Sequence, residues 1–205
     1  METPQRKFEV AEGELLDVLG MMLKGLKAAE VDAVLIGGIA VATLSRPRWT
    51  HDIDILVRPE HAVAALDALG AMGMETERTD LAWLFKATEG NVTVDIIFRS
   101  HGDIYLDDEM LERSAIHRFK GVEVPVVAAE DLLVIKALVH DEHNPRHWHD
   151  ALALITSCDL DWDYIDRRAR HGRRRVLSLL LYAQSNDLPV PRSAITRLWS
   201  DIAET

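Results

Sequence analysis

The segment LIGGIAVATLSRPRWTHDIDILV, Leu35 to Val57, constrains this chain more than any other. A short apolar run breaks at Gly37-Gly38, a helical pattern follows over Ile39 to Leu44, and the segment closes on a strand carrying Asp52 and Asp54. Residues two apart in a strand share a face, so both carboxylates project from the same side. Like charges that close raise each other's pKa or require a cation, and Mg²⁺ or Mn²⁺ with oxygen ligands is the usual answer. Ile53, Ile55, Leu56 and Val57 set the strand in a core. Taken alone, a D-x-D pair also fits a turn followed by a solvated strand position. The double glycine upstream narrows the choice: a strand that ends there and turns into a helix presents backbone N–H groups and a helix dipole to phosphate. A phosphate cradle beside a divalent-metal site points to a nucleoside triphosphate.

Gly37-Gly38, Ala40, Arg46, Arg48, Thr50 and Asp52-Ile53-Asp54 resemble the signature of the nucleotidyltransferase (polymerase-beta-like) superfamily. Within it the chain is most similar to the abortive-infection type toxins (AbiEii, MenT) of type IV-like toxin–antitoxin pairs, with weaker matches to about Ile155. Many members carry Ser after the first glycine, where this chain has Gly38, so the phosphate contact there is left to the backbone.

The 205 residues fit one compact domain or a domain with a small appendage. No apolar run of about 18 residues and no charged-then-apolar leader occurs, so neither a membrane span nor a signal peptide is expected. Cys158 is the single cysteine, which excludes an internal disulfide and makes the cytoplasm the default compartment. A formal net charge of −11 argues against coating nucleic acid by bulk electrostatics, though not against a local basic patch.

Periodicity predicts a core helix from about Val10 to Glu30, a first strand over Val31 to Ile36, and a helix from His61 to Gly70 after Pro59. Trp83 to Thr88 and Val92 to Phe98 read as paired strands, a short helix ends near Ser114, and GVEVPVV reads as a strand feeding a helical C-terminal half. Asp95 interrupts the apolar run VTVDIIF, and a buried carboxylate needs a cation or donors. The resemblance implies that Asp95 completes a three-carboxylate metal site with Asp52 and Asp54 and accepts the proton of the attacking hydroxyl. It also implies a triphosphate contact at Lys136 and a catalytic aspartate on the following helix, Asp150.

Arg46 and Arg48 flank Pro47 and read equally as solvated loop charges or as phosphate contacts. His143 and His147 invite a zinc reading, but Pro145 breaks the helix that would align them, and Arg146 is the better phosphate ligand. Six arginines crowd Arg167 to Arg175, either as a solvated face or as a phosphate-tracking patch for RNA.

The expected fold is α/β, a small mixed sheet flanked by helices, with a catalytic domain over residues 1–125 and a helical subdomain over 126–205. The expected reaction is transfer of NMP from an NTP to a hydroxyl with release of pyrophosphate, assisted by Mg²⁺ or Mn²⁺. From the resemblance, the acceptor is the 3′ end of tRNA and the protein is a growth-inhibiting toxin with a cognate antitoxin. An antibiotic nucleotidyltransferase of the aminoglycoside or lincosamide kind, and a catalytically silent nucleotide-binding module, stay open as alternatives. Nucleotide preference and oligomeric state are not legible.

Overall fold

The acidic strand is β2, Asp52–Val57, and it lies in the middle of a seven-stranded mixed sheet. The computed structural model describes residues 4–141 and 143–203, the first eight by backbone alone. In chain order the strands are β1 (Ala33–Leu35), β2, β3 (Glu75–Asp80), β4 (Leu84–Glu89), β5 (Val92–Ile97), β6 (Ala115–Phe119) and β7 (Val122–Val126). They lie in the order β3-β4-β5-β2-β1-β7-β6. β2 runs parallel to β5 and antiparallel to β1, and β1 runs parallel to β7. Ile53, Ile55, Leu56 and Val57 are at most 1% exposed. Burying each such side chain contributes about 1.5–3 kcal/mol, which anchors the strand and fixes its register.

The helices are α1 (Pro4–Ala28), α2 (Gly37–Leu44), α3 (Ala62–Ala71), α4 (Asp108–Arg113), α5 (Ala129–Val139), α6 (Arg146–Ser157), α7 (Trp162–Arg168), α8 (Arg173–Ser185) and α9 (Arg192–Ala203). α1 packs on α3, and both touch β5; α2 packs between β2 and the pair α5 and α6. Leu15, Val18, Leu19, Met22 and Leu26 supply the buried stripe of α1 at helical spacing. One core cluster runs from these residues through the sheet into Leu132, Leu154, Leu179 and Leu198.

The expected mixed sheet flanked by helices is present. The first strand is shorter than the apolar run suggested, and α1 begins earlier. Two strands had no reading from the sequence. β3, ETERTD, is exposed along its whole length, so no alternation marks it, and its pairing with β4 alone defines it. β6 pairs as a hairpin with β7. The acidic residues that open α5 are buried and paired. Glu130 accepts from the Asp161 N–H at 2.8 Å. Asp131, 1% exposed, accepts from the Tyr164 hydroxyl at 2.7 Å and lies 2.7 Å from Arg168 Nε.

Candidate active site

At the end of β1 the chain reverses through Gly37, whose φ is +66°, so a side chain there would be strained. A Cβ on Gly37 would also stand 1.9 Å from Asp54 Oδ2. The carboxylate of Asp54 is thus pressed beneath the glycine turn, and the Gly38 N–H faces it at 3.4 Å. This modifies the expected phosphate cradle, because the N–H nearest the turn already has a carboxylate acceptor. Gly38 is equally constrained: a Cβ would meet Thr50 Oγ1 at 2.7 Å and Thr50 Cβ at 2.8 Å. Thr50 therefore fills the space that a serine at position 38 would need.

The parallel register of β2 and β5 sets Asp54 opposite Asp95 and Asp52 opposite Thr93. Burial pushes the Asp54 carboxyl up; Lys136 opposes the rise, while Asp95 and Asp52 add to it. On the far side of Asp95, its cross-strand partner Lys86 places Nζ 2.8 Å from Oδ1. Asp52, Asp54 and Asp95 border a cavity of about 760 Å³, a volume typical of small-molecule sites. Gly37, Gly38, Arg48, Thr50, Lys136 and Arg146 border it too.

Lys136 does not snorkel outward. It is 4% exposed, with Nζ 3.1 Å from Asp150 Oδ2, and Arg48 Nη1 approaches the same oxygen at 2.7 Å. Burial pushes the Lys136 ammonium down in pKa, and Asp150 opposes that. Asp150 is 1% exposed and is not among the residues bordering the cavity. Asp150, expected to act in catalysis, pairs here with two cations that border the cavity, Lys136 and Arg48. Arg46, expected as a phosphate contact, is exposed and does not border the cavity. Of the two loop arginines only Arg48 faces it.

The three carboxylates expected to hold a metal, Asp52, Asp54 and Asp95, all border this one cavity. Among the described residues, no group of three or more His, Cys, Asp or Glu is arranged to hold a metal ion, and Asp95 is engaged by Lys86. The donor chemistry still suits a hard divalent cation. Mg²⁺ is commonly held by one or two carboxylates with substrate phosphates and water supplying the rest, and Asp52 and Asp54 meet that need. Burial raises the Asp54 carboxyl, and Asp95 and Asp52 add to the rise, a charge crowding that such a cation would relieve.

Several bordering residues were missed from sequence. Trp49 and His51 stand beside the D-x-D pair, where the Trp49 indole donates to His51 Nε2 at 2.8 Å. Trp83 and His101 come from turns, just before β4 and after β5. Their closeness to the signature was a usable signal only for the first two. His147 borders the cavity with Asn144 3.2 Å away, and burial, with Lys136 nearby, pushes it down to about 4. The arginine run divides: Arg167 pairs with Glu109, and Arg168, 1% exposed, joins Asp107 and Asp131. Arg168 is structural, so the patch expected from six arginines is smaller, while Arg167 stays half-exposed.

No described helix is long and apolar enough to cross a membrane. The solved structures that resemble this one show a shared fold. The antibiotic-resistance factor ANT(2")-Ia matches with a TM-score of 0.58 at 17% identity, covering 83% of this chain and 96% of that one. The lincomycin-bound lincosamide antibiotic adenylyltransferase LnuA matches at 0.50 and 18%, covering 69% and 97%. An antigenic nucleotidyltransferase-like protein from Paracoccidioides brasiliensis matches at 0.53 and 14%, covering 88% and 92%. No curated protein matches the sequence. A family model described as "Nucleotidyl transferase of unknown function (DUF2204)" matches residues 15–169, which span both the carboxylate strands and the helix bearing Asp150. The chain belongs to that family and is an enzyme that transfers nucleotides.

Proposed function

We propose that the enzyme transfers NMP from an NTP to the 3′-terminal hydroxyl of tRNA, and so acts in the cytoplasm as a growth-inhibiting toxin neutralised by a cognate antitoxin. The observation that carries the chemistry is the placing of Asp52, Asp54 and Asp95 on one sheet face, across a cavity of about 760 Å³ from Lys136 and Arg146. In this reading residues 1–125 supply the carboxylates, the glycine turn and Arg48, and residues 126–205 supply Lys136 and Arg146.

In this reading Asp52 and Asp54 hold a divalent cation, which when bound polarises the α-phosphoryl group and offsets the charge of the leaving pyrophosphate. Lys136, Arg48 and Arg146 neutralise and orient the triphosphate, and the Gly37-Gly38 backbone approaches it closely. The acceptor oxygen bonds to the α-phosphorus as the bond from that phosphorus to the bridging oxygen breaks. The proton of the hydroxyl passes to Asp95 once Lys86 yields that carboxylate. Asp150 positions Lys136 and Arg48 without touching substrate.

A second reading, an antibiotic adenylyltransferase, is favoured by the likeness to ANT(2")-Ia and LnuA and by a cavity bordered by carboxylates that would suit a cationic drug. One experiment separates the two. Purified protein is incubated with Mg²⁺, each α-labelled NTP, and either total tRNA or an aminoglycoside and a lincosamide, beside Asp52→Ala. Label on RNA that disappears in the variant supports the toxin reading. Label on a drug alone replaces it with the resistance enzyme, and label on neither leaves a silent nucleotide-binding module.

A further inference from the structure

A second cavity, of about 550 Å³, shares His101 as a common wall with the candidate active site. Arg170, Arg173, Arg174 and Arg175 border it against one carboxylate among the described residues, Asp201, in a chain whose formal net charge is −11. Its floor is closely fitted: a Cβ on Gly172 would stand 2.9 Å from Leu138 Cγ, and one on Gly102 would stand 2.5 Å from the His171 carbonyl oxygen.

The charges on this wall are poorly compensated. α8 opens on Arg173-Arg174-Arg175 with no acid in its first turn, which sets three cations at the positive end of a helix dipole. Arg173 pairs with Asp201 at 2.5 Å. Arg175 donates to the His140 carbonyl, which orients the guanidinium but leaves its charge. The carboxylate facing Arg170 is Asp107 at 3.8 Å, and Arg168 already holds that oxygen at 2.5 Å. The Arg174 side chain has no hydrogen bond or ion pair among the described residues. An arrangement that sets three cations in a row at the positive end of a helix, with Arg170 beside them, is relieved by an anion. Guanidinium groups match phosphate oxygens in pairs, and no Trp, Tyr or Phe borders the cavity to stack a base.

We propose that this arginine-walled cavity is a phosphate subsite for the backbone of a phosphodiester chain whose terminal hydroxyl lies in the neighbouring carboxylate cavity. The inference rests on the RNA-acceptor reading above and adds where the RNA is held. Cations spread around a cavity that adjoins the reacting site suit a strand running toward it better than a lone anion. Contacts of this kind set position and carry no base preference.

The test uses full-length protein and a fluorescein-labelled 12-nucleotide single-stranded RNA, with anisotropy measured between 50 and 200 mM salt. Arg170→Ala/Arg174→Ala is compared with wild type, and the thermal shift with Mg-ATP checks that the fold and donor cavity are intact. Each lost single-strand phosphate contact flattens the salt slope by about 0.7, so two contacts make the wild type lose about sevenfold more affinity than the variant over that range. Unchanged RNA affinity and slope in the variant overturn the subsite, while label transfer to RNA would still uphold the acceptor reading. RNA binding by neither protein, with drug labelled instead, overturns both. Tripolyphosphate displacing the RNA as well as unlabelled RNA does, per phosphate, would mark a free-anion site and overturn the strand proposal.

Discussion

Gly38→Ala tests how the glycine turn and the Thr50 loop are fitted together. The added Cβ would stand 2.7 Å from Thr50 Oγ1 and 2.8 Å from Thr50 Cβ, where ordinary carbon contacts lie at 3.4–4 Å. Thr50 has little freedom to retreat, because its hydroxyl donates to the Asp52 carbonyl at 3.2 Å. Overpacking of this kind costs about 1–3 kcal/mol. Position 38 lies in α2, and replacing Gly by Ala in a helix recovers about 0.8–1 kcal/mol. The expected net loss is therefore about 0–2 kcal/mol, too close to zero for a single mutant to decide. A double-mutant cycle with Thr50→Gly removes the ambiguity, since the helix term enters both legs and cancels. The four proteins are compared by urea unfolding, and the coupling between the two sites should be about 1–3 kcal/mol. A coupling below about 0.5 kcal/mol would show that the turn and loop do not compete for the same space, and the account of why glycine replaces serine here would fail.

Asp150→Ala leaves Lys136 and Arg48 at a buried wall without their shared carboxylate; losing one partner of such a cluster costs about 3–5 kcal/mol in urea unfolding. A loss under about 1 kcal/mol would mean that Asp54 and solvent already balance the two cations. Lys86→Gln should leave the Asp95 charge beside Asp54 unopposed and tighten Mg²⁺ binding at Asp52 and Asp54 about fivefold by calorimetry, as expected for a partly exposed pair worth about 1 kcal/mol; unchanged binding would show that Lys86 does not weaken the cation's site. His147 is held near 4, below its unfolded value of 6.5, so the folded protein binds fewer protons than the unfolded chain between those values. Its contribution is intact above pH 6.5 and is lost as pH falls toward 4, so His147→Gln should flatten the decline of Tm over that window. An NMR titration of His147 with a midpoint near 6.5 would refute the assignment.

The site was legible in the sequence wherever its chemistry is local. Asp52 and Asp54 are two apart in a strand, and the alternation of side chains alone puts them on one face. Gly37 announces a backbone reversal because few other residues tolerate it. Asp95 stands out as a carboxylate in an apolar run. Position along the chain could not separate Arg46 from Arg48, which lie on either side of one proline; only the packing of the loop turns Arg48 toward Asp150, 102 residues away. Lys136 and Asp150 were found through resemblance, but whether Asp150 meets substrate or holds its neighbours depends on which atoms are buried, which sequence does not encode locally.

Chain patterning by itself determined an α/β protein with one deep core, a glycine turn, an acidic central strand and a helical second half, because burial periodicity and turn chemistry act over a few residues. Tertiary structure decided the edge strands β3 and β6, which exist through hydrogen bonds to neighbours rather than through their own apolar alternation. It also decided which charges are neutralised. Arg168 vanishes into an ion pair while Arg174, six residues on, keeps its charge on a cavity wall. A charge's role follows from what lies within a few ångströms of it, and for these arginines those neighbours come from distant parts of the chain.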